Sequence, residues 1–246
     1  MVRLNRFLSL AGLTSRRKAD LFIKSGRVEL NGKRVQKMGT LVDEKKDEVR
    51  VDGVRVNLKE DFVYLLLNKP AGFLTTAGDD FRRPVVFDLI RGIKKRIFPV
   101  GRLDYDTEGV LLLTNDGNLA YRLTHPRFQI TRVYKVKVKG EPSEKNIKAL
   151  RKGIKLQDGT LARGEAAILK KGNDTTNIKL ELKEGKKREI KRIFKALGYK
   201  VEQLERVSFA GITTRGLKKG QWRHLMPVEV LNLRKVTGLE GSGSKG

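Results

Sequence analysis

The sequence predicts an α+β protein in two unequal parts, a small helix-and-hairpin module followed by a larger sheet domain. Three observations carry this expectation. Two turn dipeptides, Asn31-Gly32 and Asp52-Gly53, each sit between short alternating runs within the first 58 residues, the strongest local signal for a hairpin. From Phe62 onward, strand-like runs outnumber helical ones and alternate with them irregularly, unlike the regular series of a parallel βαβ fold. A chain of 246 residues that is 39% apolar also has enough material for a buried core despite its heavy charge.

Taken in order, Leu4, Phe7, Leu8 and Ala11 have the spacing of one helical face. Thr14 or Ser15 caps a second helix, which carries Ala19, Leu21, Phe22 and Ile23 and stops at Gly26. The hairpins "RVELNGKRV" and "DEVRVDGVRV" follow, and the module spans 1–58. A polar link at 59–61 leads to a second domain over 62–237. Its expected strands are "FVYLLLN", "VLLLT", "VYKVKVK", "AAIL", "NIKLEL", "VEQLERV" and "VEVLNL". One helix, "SEKNIKALRKG", is capped by Ser143, closed by Gly153 and turns Ile147 and Leu150 inward. Another, "REIKRIFKALG", lines up Ile190, Ile193, Phe194 and Leu197. The last stretch, 238–246, reads as a disordered tail.

Charge narrows the partners. The chain carries 54 Lys and Arg against 28 Asp and Glu, a net +26, which favours phosphate backbones or anionic surfaces. No apolar run is long enough to span a bilayer, and the opening "MVRLNRFLSL" is broken by Arg3 and Arg6, unlike a signal peptide. The chain has no cysteine and two histidines, which leaves little for a disulfide framework or an imidazole metal site. A cytoplasmic protein that handles nucleic acid is the leading class. Arg3, Arg6, Arg16, Arg17, Lys18 and Arg27 crowd the first module. Three of them, in "SRRK", stand at a helix amino terminus, where the macrodipole disfavours cations. A bound phosphate would compensate for that.

The chemistry-bearing stretch is "GRLDYDTEGVLLLTNDG", Gly101 to Gly117. An aspartate is ionised at neutral pH and needs no separate base to act as a nucleophile. A serine nucleophile has no evident histidine partner, and neither a "GxxxxGK[ST]" nor a strand-linked "GxGxxG" phosphate loop occurs. Asp104, Asp106 and Glu108 are expected on a loop leading into "VLLLT", and Asp116 reads as a turn residue. Tyr134 alternates with Val136 and Val138. It is either a core tyrosine or a ring at the sheet edge that stacks on a base. Cations recur at a helix start in "KKREIKR".

These stretches together resemble the pseudouridine synthases that act on ribosomal RNA and carry an amino-terminal S4 domain. "FPVGRLDYDTEGVLLLTNDG" is similar to the catalytic motif, and "LLNKPAGFLTT", "TRVYKVKV" and "EGKKREIKRIFKALGY" agree with the family in their order. Residues 3–50 resemble S4 modules, and "YDTEG" with "LTHPRF" look nearest to the large-subunit subgroup. The resemblance implies a mixed, largely antiparallel catalytic sheet with a central cleft, a monomer, and no cofactor or metal. It also implies ribosomal RNA, free or in pre-ribosomal particles, as the partner.

Carried over by residue, Asp104 matches the catalytic aspartate and Tyr134 the tyrosine that stacks on uracil. Lys191 matches the basic residue that pairs with the aspartate. Arg102, Ile190 and Arg188 fall to substrate binding, and Arg3, Arg6, Arg16, Arg17, Lys18 and Arg27 to RNA binding. Glu189 and Lys191 stand where the family commonly has Gln and Arg. A lysine lacks the two-pronged geometry of arginine. The alternative reading is a non-catalytic RNA-binding or ribosome-assembly protein, and the two differ in what they require of Asp104.

Overall fold

The computed structural model describes residues 1–58 and 61–239, and the chain forms two compact units. The first is Met1–Val63 with two short returns of chain, Lys94–Arg96 and Asn115–Gly117, and the second holds the rest. Positions 59 and 60 of the expected link and 240–246 of the expected tail lie outside the described residues. Of the remaining tail, Leu239 is buried against the core of the second unit. Among the described residues, no helix is long and apolar enough to cross a membrane.

In the first unit, α1 (Leu4–Leu10) and α2 (Arg16–Lys24) pack over a four-stranded antiparallel sheet. Its strands are β1 (Val28–Leu30), β2 (Lys33–Val35), β3 (Val49–Val51) and β4 (Val54–Arg55). Ser15, not Thr14, is the cap, since its hydroxyl accepts from the Lys18 amide at 3.2 Å. Asn31 and Gly32, and Asp52 and Gly53, all have positive φ, as tight primed hairpin turns demand. Ala19 and Ile23 are buried on α2, whereas Leu21 is exposed.

The second unit is a nine-stranded sheet with helices packed against it. Its principal elements are β5 (Tyr64–Lys69), β6 (Thr107–Thr114), α3 (Gly117–Thr124), β7 (Arg132–Lys139) and α4 (Glu144–Lys152). They continue with β8 (Glu165–Lys171), β9 (Thr175–Leu182), α5 (Glu189–Ala196), β10 (Val201–Phe209), β11 (Trp222–His224) and α6 (Pro227–Val236). Along the main path the strand order is β8-β9-β7-β10-β6-β5-β11. Two short strands, Phe98–Pro99 and Ile212–Thr213, complete the nine among the described residues by pairing with β6 and β10. Every neighbouring pair is antiparallel except β10 with β6.

That one parallel pair divides the domain. On one side, Val136, Ile178, Leu180, Ile193 and Phe194 form a core with α4 and α5. On the other, Leu66, Val110, Leu112, Leu119 and Leu233 form a second core with α3 and α6. Each fully buried Leu, Ile or Phe contributes about 1.5–3 kcal/mol to holding these layers.

Three elements differ from expectation. Residues 228–233, "VEVLNL", form part of helix α6 rather than a strand. Pro227 starts the helix, and the Glu229 carboxylate accepts from the Met226 amide at 2.8 Å while Arg223 grips it. These end signals outweigh a six-residue alternation. The Asp116-Gly117 pair opens helix α3 instead of making a simple turn, and Asp116 is buried. β6 starts at Thr107, so Glu108 lies on the strand and not on the loop before it.

Candidate active site

The site begins with a turn held from behind. Leu103 is buried, and the Thr75 hydroxyl donates to its carbonyl at 2.8 Å and accepts from its amide at 3.3 Å. Lys69, at the end of β5, has no exposed surface. Its ammonium donates to the carbonyls of Thr107 (2.8 Å), Pro70 (3.0 Å), Asp104 (3.1 Å) and Tyr105 (3.4 Å). Burial pushes this lysine down to about 8, against the pull of Asp106, Glu108 and Asp104. A buried ammonium is expensive unless its protons are used, and here the backbone of the Asp104 turn uses them. The turn is thereby fixed before any substrate arrives.

Asp104 is half-buried and opens into a cleft of about 520 Å³. Arg102, Tyr134, Arg188, Glu189, Ile190 and Lys191 line it, so the structure brings together every pocket residue expected from the sequence. The apolar walls come from both cores, with Leu182 and Leu204 from one and Val100 and Phe209 from the other. The cleft therefore follows the seam beside the parallel strand pair.

Tyr134 is 7% exposed and lies on β7, between β9 and β10. It is an interior residue of the sheet, not one at its edge, and still borders the cleft. Arg188 precedes α5 with a left-handed φ of 50°, and Ile190 is buried.

Lys191 does not pair with Asp104. Its ammonium contacts both carboxylate oxygens of Asp106 at 2.5 Å. Burial alone would raise the Asp106 carboxyl, but the Lys191 bond and charge, with Arg188 beyond, bring it below its usual value. Sequence spacing puts Asp104 and Asp106 on one turn, but it does not tell which of them a lysine on another element reaches. Glu108, in turn, is held by Lys219.

Glu189 is 3% exposed. One oxygen accepts from the Lys186 amide at 2.9 Å and the other has no partner. Burial raises its pKa, with Glu184 adding to the shift and Lys186 opposing it.

Three functional candidates escaped the sequence reading: Lys69, Arg132 and Arg206, all buried. The signal was phase. Arg132 shares the parity of Tyr134, Val136 and Val138, and Arg206 that of Leu204, which aims both cations at a core face. A charged residue in phase with apolar ones is rarely buried without a purpose.

Arg3, Arg6, Arg16, Arg17 and Lys18 lie in the first unit and are exposed. Arg27 lies there too, but its guanidinium is committed to Asp52 at 2.5 and 2.9 Å and sits over the Phe22 ring.

A basic helix-and-hairpin module, followed by a mixed sheet that closes a cation-lined cleft around one aspartate, describes an RNA-modifying enzyme. The chain belongs to the RNA pseudouridylate synthase family, whose model matches residues 63–196, and carries an S4 domain over 2–49. It is 44% identical over 238 residues to "Ribosomal large subunit pseudouridine synthase B" of Bacillus subtilis, covering 96% of this chain and 97% of that one. An uncharacterised RNA pseudouridine synthase of Aquifex aeolicus is 41% identical over 240 residues, covering 97% and 96%. Among solved structures, a pseudouridylate synthase matches with a TM-score of 0.69 and 28% identity, over 95% of this chain and all of that one.

Proposed function

We propose that the protein isomerises one uridine of large-subunit ribosomal RNA to pseudouridine, with Asp104 as the nucleophile. The observation that carries this is the clamped turn: Lys69 holds the Asp104 carbonyl and Thr75 the Leu103 backbone before it, at the mouth of a cleft that Tyr134 borders. The full-length similarity to the Bacillus large-subunit enzyme supports the choice of RNA.

A uridine in folded RNA must leave its stack first, at a cost of a few kcal/mol. Tyr134 returns part of that by stacking on the base, and Arg102 occupies the space it vacates. The Asp104 carboxylate attacks the ribose as the bond from C1′ to N1 breaks, and the bonding pair leaves with uracil. The base turns within the cleft, and C5 bonds to C1′ as the bond from Asp104 to C1′ breaks and the carboxylate is released. The proton on C5 then departs by way of Tyr134 while N1 takes one up. Ile190 packs on the base, Arg188 holds the adjoining backbone, and Lys191 keeps Asp106 away from the incoming phosphates. The module over 1–58 gathers RNA through Arg3, Arg6, Arg16, Arg17 and Lys18, and the catalytic domain is 62–237.

The test is tritium release from ribosomal RNA labelled at uridine C5, with no other addition. Native protein is expected to release tritium. Asp104→Asn should fall by at least about 10⁴-fold while binding the same RNA. Release from the variant sinks the nucleophile assignment. Binding without release by native protein leaves a ribosome-assembly factor instead.

A further inference from the structure

Arg206 takes no part in the steps above, yet it occupies the middle of the machinery. Its strand, β10, lies between the strand of Tyr134 and the strand that follows Asp104. In register, Arg206 pairs with Tyr134 on one side and with Gly109 on the other. Gly109 has a left-handed φ of 100°, and a Cβ there would come within 2.2 Å of the Arg206 carbonyl oxygen. The two strands therefore approach as closely as a glycine permits, which leaves Arg206 little freedom to move.

The side chain is 3% exposed and lines the cleft. Its Nε donates to the Val110 carbonyl at 2.8 Å, and its guanidinium lies over the Phe209 ring at 4.7 Å. Burial disfavours its charge, and the neighbouring Tyr134 phenol opposes that. Its Nη2 is buried and has no partner. Arg132, two residues before Tyr134 and over the same Phe209 ring, shows the contrast. Its two terminal nitrogens donate to the carbonyls of Ile130, Lys183 and Leu123. One guanidinium is satisfied by the fold, and the other keeps a donor in reserve. A buried charged donor without an acceptor is costly, and such a group in a native fold calls for an explanation. A ligand that enters the cleft and brings an acceptor supplies one.

We infer that Arg206 Nη2 donates to a carbonyl oxygen of the flipped-out uracil and holds the base while it is detached. This rests on the isomerisation proposed above. When the bond from N1 to C1′ breaks, its electron pair stays with the base and spreads from N1 onto O2 and O4. A fixed guanidinium beside one of those oxygens meets charge that develops only after the ground state, the kind of interaction that speeds a reaction. It also tethers uracil during its turn from N1 to C5. When C5 bonds to C1′ and the Asp104 carboxylate is released, the ring is neutral again and the hydrogen bond weakens. C5 then gives up its proton as N1 gains one, with no further change of charge.

The experiment uses full-length protein and a short synthetic RNA carrying the uridine mapped by tritium release. At that one position, uridine is compared with 2-thiouridine and 4-thiouridine, whose sulfur accepts hydrogen bonds poorly. Arg206→Gln is expected to lower kcat by about 10²–10³-fold and to leave KM for RNA within about twofold, because phosphate interactions set it. Arg206→Lys should recover at least tenfold of that loss. One of the two thio substitutions should slow native protein markedly and Arg206→Gln hardly at all. If Gln disturbs the packing on Phe209, seen as a lowered melting temperature, Arg206→Lys and the thio comparison in native protein decide. A folded Arg206→Gln that turns over within threefold of native overturns the assignment while isomerisation stands. So does a native protein indifferent to both thio substitutions. A native protein that releases no tritium removes both proposals together.

Discussion

Arg3, Arg6, Arg16, Arg17 and Lys18 of the amino-terminal unit stand in solvent, whereas Lys69, Arg132 and Arg206 of the catalytic unit are withdrawn from it. The residue types are the same, but the work differs. An exposed cation contributes little to the fold, is screened by salt and exchanges one phosphate for another. A buried cation must be matched by acceptors or it destabilises the protein, so each one marks a place where backbone or ligand has been arranged around it. Under the proposed function, RNA is gathered by the first kind and its reactive base is handled by the second. The contrast can be broken by exchanging the demands made on each group.

The largest effect in this comparison belongs to Lys69. Lys69→Met keeps the apolar stem and removes the ammonium, leaving the carbonyls of Pro70, Asp104, Tyr105 and Thr107 without that donor. Stability should fall by roughly 3 kcal/mol or more, measured by urea unfolding. Turnover should fall as well, because the Asp104 turn is no longer held. A variant as stable as native protein would mean that this buried cation is dispensable, and the contrast between the two sets would collapse.

Smaller effects are expected from the exposed set. Replacing Arg16, Arg17 and Lys18 together by Gln should leave stability within about 0.5 kcal/mol for each site. Binding of ribosomal RNA should weaken, and the slope of log affinity against log salt should shrink by about 0.7–0.9 for each phosphate that is no longer neutralised. Turnover at saturating RNA should be unchanged. An unaltered salt slope would remove the α2 terminus from the RNA surface.

The same contrast separates what the sequence made legible from what it did not. The two hairpins, the Ser143 cap, a cap at Thr14 or Ser15 and, through the family resemblance, the gathering of Asp104, Tyr134 and Ile190 around one cleft were readable. Their signals are local: a turn dipeptide, a capping hydroxyl, an ordered set of motifs. The first-unit cations were readable because exposure costs a cation nothing. The Asp106 partner of Lys191 was not, because two carboxylates on one turn are equivalent until a third dimension separates them. Lys69 and Arg206 were hidden more deeply. A cation beside an apolar run looks like the end of a strand, and only the paired strands supply the acceptors that justify its burial. Helix α6 was misread for a related reason: a helix with Val228 and Leu231 exposed and Leu233 buried has no clean apolar stripe.

The smallest effect tests a buried anion among these cations. Glu189 binds the Lys186 amide through one oxygen and keeps the other unpartnered, and burial raises its pKa. An acid whose folded pKa lies above its unfolded value binds more protons folded than unfolded between the two. Its contribution to stability is complete below the unfolded pKa, about 4.3 for Glu, and is lost as pH rises through the folded value. Glu189→Gln keeps an oxygen for the Lys186 amide and has no proton to lose. Near neutral pH the variant should melt a few degrees above native protein, on the order of 2–4 °C, and the gap should close below about pH 4.3. Thermal melts between pH 4 and 8 measure this directly. A gap of the opposite sign would mean that the nearby Arg132 charge, which Glu189 attracts, holds the carboxylate ionised. The buried charges of the cleft would then form one paired network, and Arg132 would owe its place to Glu189 as much as to the carbonyls around it.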